Sequence, residues 1–450
     1  MNNRQVLLIS PVRPELIMTG YAHRGLALLA RKLIDNGFNV KILDYLIDRN
    51  IPGIEETIRD FKPGIVGVTI NTAFWSKADE ILGMLARYPD IKVLAGGPHP
   101  TLYHEEMAAD KRVHYVFMGE AEESIVAVCA EAELPEKPVV IQPSRPEPDN
   151  IPIPDFECAC NHHKIVEYPL QTSRGCPFGC IFCEVSNISS KKWRPLPLDT
   201  VIAELNEAKE KYKGIKKIEI IDDNPAFKPE HFKEFLVRFS EMNDGWEIVV
   251  DNMRADNIDA EMARLLEKAN CRSVCFGVEH GNPEMFKSVN KGETLEDIRE
   301  ASKVVKKTTM KLGMCFVIGL PGDSFKKTKD SIKFAKENNA DFMFWNVLVP
   351  HCGTKVRKWF EENGRIYNDR DFSPNIEDAI YTNSPVCDCD DFPKEEMLRA
   401  HFYAVLTTNN YWLNKRNRKY VIKTALKYGF FRQLFQSIIV QLYRKNFVKD

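Results

Sequence analysis

The first 130 residues alternate short apolar runs with segments of helical spacing. Five near-continuous runs rich in Val, Ile and Leu, each followed by turn residues, predict buried parallel strands. These runs are VLLIS (6–10), VKILDY (40–45), GIVGVTI (64–70), KVLAGG (92–97) and VHYVFMG (113–119). This alternation of strand and helix predicts a doubly wound parallel sheet, in which ligands bind beyond the carboxyl ends of the strands.

A proline-rich segment then interrupts the pattern, with seven prolines between Pro135 and Pro154. That density predicts a stiff connection without regular secondary structure. Beyond it, helices predicted over 200–212 and 295–307 separate some of six further apolar runs. The runs are PLQTSRG (169–175), IKKIEIID (215–222), WEIVVDN (246–252), CRSVCFGVE (271–279), KLGMCFVIGLPG (311–322) and DFMFWNVLVP (341–350). This series suits a partial α/β barrel better than an open sheet.

From about Phe392 onward the pattern is helical. We therefore predict an α/β protein in four parts. They are a doubly wound parallel-sheet domain (1–134), a proline-rich linker (135–168), a partial (β/α)6 barrel (169–390) and a C-terminal helical tail (391–450). A chain of 450 residues is longer than one hydrophobic core normally serves, which agrees with several domains.

Composition and charge give expectations about the cellular compartment and about the C-terminal tail. With 44% hydrophobic residues, the chain has an ordinary globular composition, and it lacks both a long apolar run and a signal-peptide layout, so we expect a cytoplasmic protein. Between Lys415 and Asp450, ten Lys and Arg face one acid, although the formal net charge of the chain is −2. This basic, aliphatic tail predicts either peripheral contact with the inner membrane face, which would favour a lipid-like substrate, or packing on the barrel.

Three of the twelve cysteines fall within CPFGCIFC, at positions 176–183. Gly and Pro between the thiols predict a loop and not core packing. A structural zinc site normally needs four ligands in two pairs, and the chain has no partner CxxC pair. Three thiolates on such a loop instead favour an iron–sulfur cluster that keeps one iron open to another ligand.

The spacing C-x3-C-x-aromatic-C, after an apolar strand and a Ser-Arg-Gly turn, resembles the radical S-adenosylmethionine (SAM) enzymes over residues 171–183. The resemblance implies that Cys176, Cys180 and Cys183 hold a [4Fe–4S] cluster whose fourth iron binds S-adenosylmethionine. An electron, supplied by a donor such as flavodoxin or ferredoxin, would then split that molecule to give a 5′-deoxyadenosyl radical.

The same resemblance assigns further contacts to S-adenosylmethionine. It implies Phe182 near the adenine, Asp222, Asp223 and Asn224 at the methionine amino group, Arg254 at the carboxylate, Glu279 at the ribose, and the turn with Gly319, Pro321 and Gly322 at the adenine. Many relatives end the sixth strand in Pro-x-Pro-Gly-Thr, whereas this chain has His351 and Cys352 there. Both can ionise, so they are candidates for proton or hydrogen-atom transfer; a turn variant without a chemical role is the alternative.

A doubly wound domain before a radical barrel resembles the subclass that carries cobalamin. Residues 64–123 match that domain, which implies a corrinoid over the strand ends. The candidate contacts are Thr69, Asn71, Thr72, Gly96, Gly97, Pro98, His99, Pro100, Thr101, Gly119 and Glu120. The chain lacks an Asp-x-His-x-x-Gly motif, and His23 fits it poorly, so we do not expect a histidine bound to cobalt. A scaffold domain that has lost its cofactor is the alternative.

The family resemblance implies a methyltransferase that abstracts hydrogen from an unactivated carbon and delivers a methyl group through methylcobalamin. The alternatives are a radical cyclase, ring-rearranging or carbon–carbon coupling enzyme, and a non-catalytic corrinoid or metal carrier. RNA methylthiolation and a nucleic-acid partner are not expected, because the domains of those enzymes are not visible. Two further clusters, Cys158–His163 and Cys387–Asp391, are not expected to bind metal; a Cys-x-Cys on one strand points both thiols to the same face.

Overall fold

The computed structural model describes residues 4–11, 22–48, 50–142, 145–367, 385–408, 418–436 and 438. The chain forms two compact units. The first contains residues 1–177 and 185–249, and the second contains residues 178–184 and 250–450, as far as these are described. The first unit therefore joins the predicted doubly wound domain to the first part of the predicted barrel, and the three boundaries between the four predicted parts remain a prediction.

The first sheet has six parallel strands in the order β2-β1-β3-β4-β5-β6. They are β1 (Gln5–Ser10), β2 (Asn39–Asp44), β3 (Ile65–Thr69), β4 (Lys92–Gly96), β5 (Tyr115–Phe117) and β6 (Val139–Ile141). The register places Val6 beside Val40 and Ile65. The five predicted strands are confirmed, because near-continuous apolar runs are what a sheet covered on both faces requires.

Six helices lie among these strands: α1 (Arg24–Asp35), α2 (Ile54–Phe61), α3 (Trp75–Leu85), α4 (Pro98–Leu102), α5 (His104–Ala109) and α6 (Ile125–Ala130). Leu26 of α1 and Val128 of α6 pack into the core on one face of the sheet. Ile58 of α2, Leu82 of α3 and Met107 of α5 pack into the core on the other face. Helices on both faces confirm the doubly wound architecture.

The proline-rich linker is more ordered than predicted. Residues Val139–Ile141 form β6, which pairs with β5 at the edge of the sheet. An edge strand pairs on one side only, so it tolerates flanking prolines, and the prediction of no regular structure was wrong there. At the opposite edge, the amide of Ile42 donates to the carbonyl of Cys158 (2.9 Å), and Cys160 donates back to Ile42 (3.1 Å).

This bridge separates the two thiols of the Cys158–His163 cluster. Cys158 packs against one core of the first sheet and Cys160 against the other, so the prediction that both face one side was wrong. The segment is a turn and an isolated bridge, not a strand, and the alternation rule does not apply to it. Burial raises the pKa of Cys158 to about 12, which keeps this thiol neutral.

The second large sheet has the order β14-β13-β12-β11-β10-β7. Its strands are β7 (Glu167–Leu170), β10 (Lys217–Ile220), β11 (Glu247–Met253), β12 (Cys271–Glu279), β13 (Lys311–Ile318) and β14 (Phe342–Val347). Six strands neighbour one another in chain order, which is the arrangement of a partial barrel, and all six predicted strands are confirmed. A short antiparallel pair, β8 (Ser173–Arg174) with β9 (Arg194–Pro195), frames the cysteine loop.

The helices that accompany this sheet are α7 (Val185–Ile188), α8 (Leu198–Lys211), α9 (Pro229–Met242), α10 (Ala260–Lys268), α11 (Pro283–Ser288), α12 (Leu295–Val305), α13 (Phe325–Glu337) and α14 (Lys355–Asn363). Local sequence marks their starts. Thr294 and Asp297 form a capping box at α12, and Ser324 caps α13 by accepting from the amide of Lys327.

A short antiparallel pair, β15 (Arg365–Ile366) with β16 (Cys387–Asp388), precedes the C-terminal helices α15 (Lys394–Thr408) and α16 (Arg418–Tyr428). The sequence did not predict this pair. Cys387 is buried in β16, and burial raises its pKa to about 12. Helices confirm the predicted helical tail, although residues 409–417 and most residues after 436 lie outside the described part. Within the described ranges, no helix combines the length and hydropathy that a membrane crossing requires.

Candidate active site

The first unit contains a cavity of about 410 Å³ at the carboxyl ends of β1, β3 and β4. Its wall begins at glycine turns of the first sheet and ends at Arg174 and Gly175, the two residues before the first thiol of the cysteine loop. Other lining residues are His23, Arg24, Gly25, Thr69, Gly96, Gly97, Pro98, Gly119, Glu120, Glu122, Arg194 and Asp223. Six of the predicted cobalamin contacts therefore line one cavity: Thr69, Gly96, Gly97, Pro98, Gly119 and Glu120.

Glycine is required in the turn between β4 and α4. Gly97 has φ +101°, and a Cβ there would lie 2.9 Å from Oγ1 of Thr69 and 3.0 Å from the carbonyl of Ile70. Gly119 has φ +70°, and its amide donates to Oγ1 of Thr101 (2.9 Å). The cavity wall is thus made of bare backbone held in conformations that favour glycine.

The other predicted contacts do not line this cavity. Thr101 supports it from behind through its bond to Gly119, whereas Pro100 is buried. His99 is fully buried between the rings of Trp75 and Tyr103, with its Nδ1 3.2 Å from Oγ1 of Thr72. Asn71 caps the turn that follows β3. These side chains shape the turns, and their direct contact with cobalamin stays a prediction.

His23 lines the cavity as the N-cap of α1. Its Nδ1 accepts from the amide of Leu26 (3.3 Å), and its Nε2 lies 3.5 Å from Oγ1 of Thr69. Burial lowers the pKa of His23, against the raising effect of Asp44, so the imidazole is neutral. With Nδ1 accepting, the proton belongs on Nε2, and the expectation that His23 does not bind cobalt stays a prediction.

Two arginines missed by the sequence reasoning form a charged wall. Arg174 of β8 donates from NH1 to Glu120 and Glu122, both at 2.8 Å. Arg194 of β9 pairs with the same Glu120 and donates to the carbonyl of Pro146 (2.8 Å). These partners are far apart in sequence, so no local pattern indicated them. The network ties the cavity wall to the strand that leads into the cysteine loop.

The Asp222-Asp223-Asn224 triplet divides into three roles. Asp222 is fully buried and accepts from the amide (2.8 Å) and hydroxyl (2.7 Å) of Thr172 and from the hydroxyl of Ser173. Both its oxygens already accept hydrogen bonds from the protein, and its contact with the methionine amino group stays a prediction. Asp223 accepts from the amide of Gly175 (3.0 Å) and faces the cavity.

Asn224 is the member of the triplet that fits a ligand. Its side chain is 1% exposed, and its Nδ2 lies 3.9 Å from Sγ of Cys176. Among the described residues, its buried Oδ1 has no hydrogen-bond partner. A buried acceptor without a donor is costly unless a ligand supplies one. The ammonium of S-adenosylmethionine is such a donor.

In the second unit, Arg254 supports the cysteine loop. Its guanidinium stacks on the ring of Phe178 at 3.7 Å and bonds Asp256 (2.6 Å) and the carbonyl of Lys291 (2.6 Å). Burial lowers its pKa, but Asp256, Glu293 and the charge of Cys180 outweigh that effect and raise it. Arg254 is therefore a cation beside Cys180, and its hydrogen bonds are made to protein groups, which differs from the predicted contact with a carboxylate.

Glu279 stands at a strained position. It ends β12 at a bulge with φ +63°, a conformation that non-glycine residues adopt mainly where function or packing requires it. Its Oε1 lies 3.3 Å from Nζ of Lys291. Lys291, which the sequence reasoning missed, also pairs with Glu293 at 2.8 Å and is only 8% exposed. This buried pair presents Glu279 at a strand end, as predicted for a ribose contact.

The turn after β13 is rigid. Gly319 has φ +98°, and its amide donates to Asp323 (2.9 Å), whose other oxygen meets Nε2 of His280 (3.1 Å). Gly322 also has positive φ, +82°, with Pro321 between the two. A Cβ at Gly319 would collide with Met397. Hydrogen bonds and packing thus fix the backbone of this turn, and its contact with the adenine stays a prediction.

His351 meets a residue of the cysteine loop. Its Nδ1 lies 2.9 Å from Oε2 of Glu184, which directly follows Cys183 in sequence. The sequence reasoning missed Glu184, because no pattern links positions so far apart. Cys352 is half-buried in the same turn, and Phe182 is half-buried in the loop. His351 and Glu184 thus form a candidate acid–base pair.

The donor sets fit the three cofactors. Three thiols on one loop, with two cations beside Cys180, favour thiolate ligands for a [4Fe–4S] cluster. In the first unit, the buried Oδ1 of Asn224 is an acceptor open to a ligand donor, and the glycine-walled cavity suits a corrinoid. Within the described ranges, no three His, Cys, Asp or Glu side chains already stand as a metal site, at the two further cysteine clusters or elsewhere. The ligand roles of Cys176, Cys180 and Cys183 therefore stay predictions.

Family models match both parts of the chain. Residues 170–335 match the Radical SAM superfamily, and residues 20–129 match the B12 binding domain. The second match covers the glycine turns of the cavity, and the first covers the cysteine loop, Glu279 and the turn at Gly319. The expected cofactors are thus supported for both halves: a [4Fe–4S] cluster with S-adenosylmethionine, and cobalamin.

Similar proteins match much more of the chain. The uncharacterized methyltransferase PH0819 of Pyrococcus horikoshii is 30% identical over 74% of this chain and 77% of its own length. Bacteriochlorophyllide d C-12(1)-methyltransferase of Chlorobaculum tepidum is 28% identical over 74% of this chain and 72% of its own. The solved structure of the cobalamin-dependent S-adenosylmethionine radical enzyme OxsB, with aqua-cobalamin and S-adenosylmethionine bound, has TM-score 0.68 and 14% identity, and covers 98% of this chain and 73% of that one. The chain belongs to the cobalamin-dependent radical S-adenosylmethionine enzymes.

Proposed function

We propose that this enzyme is a methyltransferase that places a methyl group on an unactivated carbon of a small-molecule or lipid-like substrate. Cobalamin is the methyl carrier, and S-adenosylmethionine serves both as radical source and as methyl donor. Overall, one substrate C–H, two S-adenosylmethionine and two electrons give C–CH3, 5′-deoxyadenosine, methionine and S-adenosylhomocysteine. The methyltransferase relatives support this assignment.

One observation carries the proposal: a single cavity extends from the glycine turns of the first sheet to Arg174 and Gly175, next to Cys176. A methyl carrier in this cavity would lie near Cys176, one of the three predicted cluster ligands. Glu120, Arg174 and Arg194 offer acceptors and donors in the wall, which suit the amide groups at the rim of a corrinoid. The backbone at Gly97 leaves room for such a flat ring system.

The residues of the second unit orient S-adenosylmethionine and manage protons. Glu279 accepts from ribose hydroxyls, and Lys291 holds its carboxylate in place. The turn between Gly319 and Gly322 presents backbone to the adenine. His351, which is oriented by Glu184 through its Nδ1 (2.9 Å), exchanges a proton with the substrate through its other ring nitrogen. The chain contributes binding, orientation and exclusion of water.

The proposal includes the surroundings of the enzyme. Members of this family take small-molecule substrates and need an electron donor. Flavodoxin or ferredoxin is the class of donor we propose here, and a cytoplasmic location suits both the donor and twelve cysteines without a disulfide.

Anaerobic reconstitution tests the function. The purified chain should bind iron, sulfide and cobalt, and with a reductant should release 5′-deoxyadenosine from S-adenosylmethionine. Substrate candidates should gain one methyl group that carries label from methyl-labelled S-adenosylmethionine. A product without label would show that the enzyme catalyses cyclisation, ring rearrangement or carbon–carbon coupling and not methyl transfer. The C176A/C180A/C183A variant should release no 5′-deoxyadenosine and is the negative control. If the unaltered chain also binds cobalamin but releases none, the protein is a carrier.

A further inference from the structure

The C-terminal helices carry an inner row of apolar side chains that the protein itself covers. Val421 and Ala425 of α16 are fully buried, and Phe430 and Leu434 are 6% and 9% exposed. All four pack with residues of α15 in one core cluster. This row accounts for the folding of α16 and of the helical residues 431–436 onto the second unit.

A glycine turn connects the two helical stretches and keeps their rows aligned. Gly429 has φ +73°, its amide donates to Leu426 (3.2 Å), and Phe430 donates to the carbonyl of Ala425 (2.8 Å). This is the Schellman arrangement, with a buried residue directly after the left-handed glycine. This turn therefore fixes the orientation of the helical residues that follow it, and the exposure of their outward side chains does not come from fraying of the helix end.

An outer row of large apolar side chains follows the inner row, one residue later at every position. Ile422, Leu426, Phe431 and Phe435 are 42%, 49%, 59% and 65% exposed. Single exposed apolar residues are common on proteins, but four large ones that accompany one buried row indicate an interaction surface. We call these four residues the outer row.

Basic residues accompany the outer row along the sequence. Lys423 lies between Ile422 and Leu426, and Arg432 between Phe431 and Phe435, and the sequence contains no acid between Lys415 and Lys449. Lys427 pairs with Glu395 of α15 at 2.6 Å. The cores of protein–protein interfaces are depleted in Lys, whereas helices that lie on membranes place Lys and Arg beside Leu and Phe.

We propose that the outer row docks this enzyme on the surface of an anionic phospholipid bilayer. The four apolar side chains insert among the acyl chains nearest the headgroups, and Lys423 and Arg432 pair with phosphate groups. The helices lie in the plane of the surface and do not cross it. This docking goes beyond methyl transfer and brings a substrate dissolved in the membrane to the enzyme.

Vesicle flotation of the anaerobically reconstituted full chain tests the docking. We expect binding to vesicles of equal parts phosphatidylglycerol and phosphatidylcholine, weakened by salt, and little binding to phosphatidylcholine alone. The K423Q/R432Q variant should bind about 25-fold more weakly, from about fivefold per charge. The F431S/F435S variant should lose about tenfold or more while keeping its iron content and circular dichroism.

Matched substitutions elsewhere provide the controls. V166S, at a side chain 42% exposed in the first unit, and K333Q/K358Q, at lysines 73% and 78% exposed, should bind vesicles like the unaltered protein. Equal binding of F431S/F435S and unaltered protein would overturn the proposal. So would a dimer that F431S/F435S converts to monomer without lipid binding, which would identify a second copy as the occupant, or binding to single-stranded RNA in place of vesicles.

Discussion

Lys291 is a buried cation between two carboxylates, Glu279 and Glu293. Burial lowers its pKa, but the two negative charges outweigh that effect and raise it. A charge so buried stabilises the protein only while its partners remain, since each group has lost its water. The strained backbone at Glu279 is thus supported from the side by an ion pair.

The K291M variant should therefore be destabilised by about 3–5 kcal/mol, because two buried carboxylates lose their cation. The K291M/E293Q variant should recover part of that loss. Urea denaturation of the apo protein measures both. K303M, at a lysine 63% exposed on α12, is the control and should change stability little. Equal stability of K291M and K303M would contradict the buried pair.

Asp222 makes stability depend on pH in a direction unusual for a carboxylate. Burial raises its pKa to about 6, although the bonds from Ser173 and Thr172 lower it. The folded state then binds a proton more tightly than the unfolded state does. The stability that this group contributes is present at low pH and is lost as pH rises through about 4 to 6.

The D222N variant should remove this contribution. The free energy of unfolding of the variant, measured relative to the unaltered protein, should rise by about 3 kcal/mol between pH 4 and pH 7, as an order of magnitude. Chemical denaturation at several pH values gives the difference directly. A difference independent of pH would show that the carboxyl titrates normally.

At the scale of elements, the turn from β4 into α4 decides how close a ligand can come to the first sheet. It is built by Gly97, whose left-handed backbone faces Thr69 and Ile70. A side chain there would strain the backbone and displace Thr69, which lines the cavity. The backbone conformation of this turn and the binding of a ligand beside it therefore both require glycine at position 97.

We expect G97A to lose about 1–3 kcal/mol of stability and to retain less cobalamin after gel filtration. The matched control is G53A. Gly53 is the N-cap of α2, with φ −63°, and a methyl group added there would meet no atom within 4 Å, so alanine fits without strain. Cobalt analysis and urea denaturation compare the two. Normal cobalamin retention in G97A would exclude close approach at this turn.

At the scale of the molecule, the first unit is held together by a buried ion pair. Arg24 of α1 pairs with Glu204 of α8, which also accepts from the hydroxyl of Tyr168 (3.1 Å). Arg24 donates as well to the carbonyl of Pro169 (3.1 Å). These contacts join the doubly wound sheet to the first strand and helix of the barrel series, around the cavity that Arg24 lines.

Removing one partner should cost more than removing both. E204A leaves a buried guanidinium unpaired and should lose about 3–5 kcal/mol, whereas the R24M/E204L variant should lie near the unaltered protein. Thermal or urea unfolding of the apo protein measures the cycle. If E204A and the double variant were equally unstable, the ion pair would not be the contact that joins these elements.

The sequence by itself determined the features that depend on neighbours along the chain. Apolar runs and helical spacing predicted the five strands of the first sheet and the six of the second, since period and burial are local properties. The thiol spacing at Cys176, Cys180 and Cys183 predicted the cluster, the turn after a strand indicated Gly97, and the family resemblance indicated Glu279. Short strands such as β6 and the bridge at Ala159 escaped, because pairing at a sheet edge stabilises them and local pattern does not.

Only the tertiary structure decided which charged groups meet. Arg174 with Glu120, Lys291 with Glu279, and His351 with Glu184 pair across separations that no periodicity marks. It also decided that Asp222 supports the loop before Cys176 while Asn224 keeps a buried acceptor for a ligand. Ion pairs and hydrogen bonds act over a few ångströms in space, and the fold sets that distance, whereas helix and strand patterns act over a few residues in sequence.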